Sequence, residues 1–161
     1  MKKMVSFLVC MALLFSCAAA EQTVQLPRSR YVVDLPDDMD YSAPEDTDAG
    51  VEAYISRYLE MDLLYYPKAE MKKLGMADTL LETVQDRAAA GMDVELRDVN
   101  GIEILVYWVT DEADGAPGIG YVFEDGEWMI EVLFWYATQE AADRTTAIMS
   151  SIREETALLT E

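Results

Sequence analysis

The fold is decided by residues 92–137, which read MDVELRDVNGIEILVYWVTDEADGAPGIGYVFEDGEWMIEVLFWYA. Asn100-Gly101 is a dipeptide that readily adopts the positive φ angles of a tight hairpin turn, and Asp125-Gly126 gives the same signal between two later apolar runs. Runs rich in β-branched and aromatic residues on either side of such turns are typical of paired strands. We therefore predict four antiparallel strands: Met92–Asp98, Ile102–Thr110, Ile119–Glu124 and Glu127–Ala137.

Further elements lie on both sides of this stretch. Alternation of apolar and polar residues predicts strands near Tyr31–Leu35, Val51–Ser56 and Met61–Tyr66. Apolar stripes at helical spacing predict two helices, one capped by Asp78 with Leu80, Leu81, Val84 and Ala88 in its stripe, the other running from Thr138 to about Arg153. This order predicts an α+β fold in which helices pack on one face of an antiparallel sheet and the other face is partly open. The acidic segment after Pro36 is predicted to be a long loop, Asp37–Gly50.

The first twenty residues have the composition of an export signal. Lys2 and Lys3 precede a short apolar run, and small residues follow it. The run is too short to cross a bilayer, which takes about 20 apolar residues. We therefore predict a signal peptide over residues 1–20, a single domain over 21–161 with its core at about 30–153, and an extracytoplasmic location. Cleavage before Glu21 would release the domain, whereas cleavage before Cys17 would lipidate that cysteine and anchor the domain to a membrane.

The absence of some residue types excludes several catalytic mechanisms and one kind of metal site. The chain has no histidine, and its two cysteines, Cys10 and Cys17, both lie in the export segment. A mature domain without either residue type has no cysteine nucleophile, no Ser-His-Asp triad and no His/Cys zinc site. We therefore predict that the domain is not an enzyme.

The net charge of the chain disfavours anionic partners. The whole chain has a formal charge of −19, with 12 basic and 31 acidic residues. Such a surface repels nucleic-acid phosphates and anionic lipid headgroups and favours cations and cationic partners. We therefore expect no nucleic-acid partner, and membrane contact only through a lipid on Cys17.

Four local features of the pattern occur in a characteristic order. They are an opening strand into Leu35-Pro36, a hairpin at Val99-Asn100-Gly101, a hairpin over Tyr121–Trp128 and a closing helix that ends in Ile148–Ile152. Together they resemble the Mog1/PsbP-like fold of small exported bacterial proteins of unknown role. The resemblance implies a binding or assembly module more than an enzyme, and it supplies no catalytic residues. The acidic loop after Pro36 is long for this pattern.

Two acidic clusters are candidate cation sites. Asp111, Glu112 and Asp114 lie beside Gly115 in a predicted loop, and hard cations such as Ca²⁺ prefer several oxygen ligands on a flexible loop. The spacing does not match that of an EF-hand, so a solvated loop is the competing interpretation. A second cluster comprises Asp34, Asp37, Asp38 and Asp40, and there too a surface loop is the alternative.

Two further sets of residues could carry a function. Glu60 and Asp62 would share one face of a strand about 7 Å apart, a separation that suits carboxylate-based glycoside hydrolysis. Tyr107 and Trp135 would lie together on the predicted open face of the sheet, where aromatic side chains suit a protein, peptide or glycan partner. The alternative is that other segments cover this face.

The sequence as a whole favours an exported, non-enzymatic binding or accessory domain of unknown ligand, secreted or lipid-anchored. A Ca²⁺-dependent adhesion or stability module is one alternative, and a carboxylate-based hydrolase is another. We expect no cofactor, with Ca²⁺ the one candidate.

Overall fold

A computed structural model describes residues 21–43, 52–113 and 115–155. The predictions made for the export signal, for lipidation of Cys17 and for Asp114 lie outside these residues. Within them the chain forms ten strands, which are β1 (Glu21–Gln25), β2 (Tyr31–Pro36), β3 (Asp40–Ser42), β4 (Glu52–Ile55), β5 (Leu59–Pro67), β6 (Val94–Val99), β7 (Ile102–Thr110), β8 (Pro117–Asp125), β9 (Trp128–Tyr136) and β10 (Arg153–Glu154).

The larger of two sheets has seven antiparallel strands in the order β3-β4-β5-β9-β8-β7-β6. The four strands predicted within residues 92–137 are confirmed as β6 to β9, and both predicted hairpin turns are present. Asn100 has a φ of 55° and Gly101 one of 83°, as this kind of turn requires. Strand β3 lies inside the segment predicted as a long loop, so that prediction was wrong over Asp40–Ser42.

The smaller sheet joins the two ends of the described chain. Its order is β1-β2-β10, with β2 in the centre. Arg153 of β10 pairs with Val32, and its guanidinium binds the carboxylate of Asp34 at 2.7 and 2.8 Å. Asn100 donates to the carbonyls of Ser150 and Ile152, at 3.0 and 2.8 Å, and so fixes the approach to β10.

Among the described residues, three helices pack on the larger sheet: α1 (Lys68–Lys73), α2 (Leu80–Ala89) and α3 (Gln139–Ser150). Threonine side chains cap α2 and α3, because the hydroxyl of Thr79 accepts from the Glu82 amide and that of Thr138 from the Ala141 amide. The prediction of Asp78 as N-cap was therefore wrong by one residue. Leu81 was placed in the apolar stripe of this helix but is 62% exposed.

Apolar side chains fill both faces of the larger sheet. Its first face packs against α3 and the smaller sheet, around residues such as Phe123, Phe134 and Ile148. Its second face packs against α1 and α2 through Met71 and Leu80. The α+β class and the antiparallel sheet are confirmed, but helices lie on both faces rather than on one, because the 68–89 segment crosses to the side opposite α3.

Candidate functional site

A cleft lies at the end of the larger sheet where β5 and β8 begin and β7 and β9 end. Its volume is about 540 Å³, which is within the range of about 300–1,000 Å³ typical of ligand sites. We call it the end cleft. The β4–β5 turn, the β7–β8 loop and the end of β9 supply its lining, which comprises Ile55, Ser56, Arg57, Tyr58, Leu59, Glu60, Asp111, Gly115, Ala116, Pro117, Trp135, Tyr136 and Ala137.

Trp135 is the fixed aromatic residue of the end cleft. In the sheet it pairs with Glu60 of β5 and with Gly118 of β8. A Cβ atom on Gly118 would lie 2.9 Å from the Trp135 ring, so glycine at that position lets the indole lie against the strand. Its Nε1–H donates to Oδ2 of Asp62 at 3.1 Å, which holds the ring in one orientation.

Asp62 is a half-buried carboxyl directly behind this indole. The pKa of Asp62 is raised to about 6, chiefly by burial and also by the nearby charge of Glu60, while the hydrogen bond from Trp135 partly opposes the shift. A carboxyl with a raised pKa next to a cleft is a common feature of functional sites.

We expect Asp62→Asn to stabilise the folded protein at pH 7.5 and to have little effect at pH 4. The folded-state pKa of about 6 lies above the usual 3.8, so ionisation of Asp62 costs stability as the pH rises through this interval. A shift of about two units corresponds to about 3 kcal/mol, and partial exposure reduces the expected gain to about 1 kcal/mol. Urea unfolding at both pH values measures it.

The matched control is Asp93→Asn, which makes the same chemical change at an exposed aspartate. A gain for Asp62→Asn that is equal at pH 4 and pH 7.5, or that Asp93→Asn reproduces, would contradict the assignment of the effect to Asp62.

The structure brings together residues that the sequence analysis had treated as separate sites. Glu60, Asp111 and Trp135 all line the end cleft, although they were predicted as parts of a hydrolase pair, a cation loop and an aromatic surface. Glu112 is exposed on the same loop. Within the ranges given above, no group of three or more acidic residues is arranged to hold a metal ion. Because Asp114 lies outside those ranges, the Ca²⁺ site stays a prediction.

The second acidic cluster is used for ion pairs that hold the fold. Asp34 binds Arg153, and the Asp38 carboxylate accepts from both terminal nitrogens of Arg144 on α3. These guanidinium groups lower the pKa of Asp34 and of Asp38. Asp37 and Asp40 are exposed beside them.

Tyr107 is not available to a partner. It lies on the same sheet face as Trp135, as predicted, but it is only 3% exposed because α2 and the Arg87 guanidinium cover it. Its hydroxyl donates to Oε1 of Glu131, which also accepts from Arg87 at 2.8 Å. The prediction that Tyr107 lines an open surface was therefore wrong, because α2 and Arg87 cover its side chain.

The sequence analysis did not identify Glu131 and Arg87. A signal was present, since Glu131 is the one acidic residue within the apolar run of β9. A carboxylate in such a position is expected to have a buried partner.

Comparison with known proteins identifies the fold. No family model matches the chain, and no curated protein matches it. The solution structure of cyanobacterial PsbP (CyanoP) from Synechocystis sp. PCC 6803 is similar, with a TM-score of 0.53 and 15% identity over 88% of this chain and 96% of that one. A protein of Bacteroides thetaiotaomicron VPI-5482 is also similar, with a TM-score of 0.54 and 8% identity, but the match spans 80% of this chain and only 46% of that one. The Mog1/PsbP-like fold predicted from the sequence is therefore confirmed.

Proposed function

We propose that this chain is an exported, non-enzymatic accessory domain that binds a lysine- or arginine-bearing segment of a partner protein in the end cleft. One observation carries the proposal: Glu60 and Asp111 line a cleft that also presents aromatic side chains. Carboxylates attract a cationic side chain, and aromatic faces bind its charge and its aliphatic stem.

The rim of the end cleft already contains an interaction of this kind. The guanidinium carbon of Arg57 lies 4.9 Å from the ring centroid of Tyr58, which is itself 46% exposed. The overall charge of −19 adds a long-range attraction for a cationic partner. A neutral glycan that stacks on Trp135 would lack the charge–charge attraction to Glu60 and Asp111, so a cationic peptide suits the cleft better.

The extracytoplasmic location is part of the same proposal and rests on residues 1–20. None of the helices within residues 21–43, 52–113 and 115–155 is long and apolar enough to cross a bilayer. Mass spectrometry of the mature N-terminus distinguishes release after cleavage before Glu21 from a lipid on Cys17.

We expect Glu60→Gln to weaken binding of a capped Ala-Lys-Ala-Arg-Ala-Lys peptide about tenfold, equivalent to about 1.4 kcal/mol. The wild-type affinity should rise between pH 5 and pH 7, because Asp62, whose pKa is about 6, gains its charge over this interval. Isothermal titration calorimetry at low salt measures both effects.

Glu103→Gln is the control for this titration, since Glu103 is exposed on β7 and does not line the end cleft. A peptide with norleucine and citrulline in place of lysine and arginine should not bind. Equal binding of that neutral peptide, or an unchanged affinity for Glu60→Gln, would refute the proposed function.

A carboxylate-based hydrolase is the second candidate, favoured by Asp62 alone. A carboxyl with a pKa of about 6 beside a second acid, Glu60, is the combination that general-acid glycoside cleavage uses. Turnover of a glycan panel by the wild type but not by Asp62→Asn would support this candidate over the binding role.

A further inference from the structure

A second cavity, separate from the end cleft, lies between the second sheet face and helices α1 and α2. Its volume is about 430 Å³, again within the range typical of small-molecule sites. We call it the methionine cavity, because three methionines line it. The complete lining is Tyr66, Met71, Gly75, Met76, Ala77, Thr83, Asp86, Arg87, Val122, Met129 and Glu131.

The walls of the methionine cavity are apolar and adaptable. Met71, Val122 and Met129 are buried side chains of the second-face cluster, whereas Met76 is half exposed in the segment between α1 and α2. Methionine is unbranched and polarisable, so it fits apolar ligands of varied shape. These walls would take an aliphatic chain or a ring.

One end of the cavity is polar but carries balanced charge. Glu131, which is 8% exposed, accepts from both Arg87 and Tyr107 through the same oxygen, Oε1. The Arg87 guanidinium carbon also lies 3.8 Å from the centroid of the Tyr107 ring. The positive charge of Arg87 is thus already compensated before any ligand enters.

Hydrogen-bond donors remain at this polar end. Arg87 has five N–H donors, of which one binds Glu131 in the structure. The Tyr66 hydroxyl has no hydrogen-bond partner among the described residues, and burial raises the pKa of Tyr66 to about 12, so the phenol keeps its proton near neutral pH. A ligand oxygen can therefore accept from Tyr66 and Arg87.

We infer that the methionine cavity binds an uncharged amphiphile, with an apolar chain or ring against Met71 and Met129 and a hydroxyl or carbonyl oxygen near Tyr66 and Arg87. An anionic head is disfavoured because Glu131 neutralises Arg87 and Asp86 adds negative charge to the lining. A cationic head is disfavoured near Arg87, because an ammonium group cannot accept from the Arg87 N–H donors and would lie beside the guanidinium charge. This ligand class does not depend on the function proposed for the end cleft.

The test is a titration of protein labelled with ¹³C at the methionine methyl groups. Octanol should shift the resonances of Met71, Met76 and Met129 but leave those of Met39 and Met61, which lie in the core of the first face. Octanoate and octylamine carry charged heads, so each should bind at least about tenfold more weakly than octanol. This difference corresponds to about 1.4 kcal/mol of binding free energy.

Met76→Trp should reduce octanol affinity by at least about tenfold, because a larger side chain fills the mouth of the cavity. Leu74→Trp is the matched control: Leu74 is 75% exposed, belongs to the same segment and does not line the cavity. Both variants should keep the wild-type Tm. Equal shifts at Met39 and Met61, equal or tighter binding of octanoate, or unchanged affinity in a folded Met76→Trp would each overturn the inference.

Discussion

Replacement of Gly120 by alanine should lower the free energy of unfolding by about 3 kcal/mol, at the upper end of the usual cost of overpacking. A Cβ atom at this position would lie 2.0 Å from Cε1 and 2.1 Å from Cζ of Tyr107, far inside van der Waals contact. Strand β8 lies between β7 and β9, so its backbone cannot move away from the ring. The ring cannot yield easily either, because Glu131 and Arg87 hold it.

Urea unfolding of Gly120→Ala measures this loss, and Gly118→Ala is the matched control on the same strand. There the nearest contacts of a Cβ atom would be 2.9 Å, to Trp135 and Val109, so we expect a loss of about 1 kcal/mol. In a Tyr107→Leu background, the Gly120→Ala change should cost less than about 1 kcal/mol, since the obstructing ring is gone. A cost that is unchanged in that background would contradict the steric cause.

Replacement of Glu131 by leucine should cost about 3 kcal/mol of stability, because it leaves the largely buried Arg87 guanidinium without its counter-ion. The Tyr107 hydroxyl would lose its acceptor in the same step. The double variant Glu131→Leu/Arg87→Met should recover most of the loss, since an apolar pair leaves no buried charge.

The control for this prediction is Glu70→Leu, which removes an exposed ion pair with Lys73 whose two atoms are 2.6 Å apart. Exposed ion pairs contribute little to stability, so we expect the free energy of unfolding to change by less than about 0.5 kcal/mol. Chemical unfolding of the wild type, Glu131→Leu, Arg87→Met and the double variant measures the coupling between Glu131 and Arg87. If the double variant is as unstable as Glu131→Leu, the cost does not come from the unpaired charge.

Gly120, Tyr107 and Glu131 lie in strands that could be predicted from the sequence. The contacts that Tyr107 and Glu131 make with α2 could not be predicted. Strands β6 to β9 could be predicted because turn dipeptides and alternation act over a few residues. The shared face of Tyr107 and Trp135 followed from the same alternation, and the register confirms it. Tyr107 is covered because α2 packs over it, and the short-range sequence pattern does not predict where on the sheet a helix packs.

The same limit applies to the end cleft and to the short strands. Glu60, Asp111 and Trp135 meet because three strand ends coincide in the larger sheet, and the hairpin register that aligns them is visible only in the fold. Strand β10 has two charged residues and no apolar alternation, so its pairing is imposed by β2 and α3 rather than by its own composition.

Strand β10 also has a consequence for the order in which the protein folds. Arg153 and Asp34 are 119 residues apart in the sequence, so the smaller sheet is completed only after a very large loop has closed. The entropy of closing such a loop is lost before the contacts that compensate for it have formed, and high contact order slows folding. The hairpins of β6 to β9 need no such closure, so we expect them to assemble first and β10 to pair with β2 late in folding.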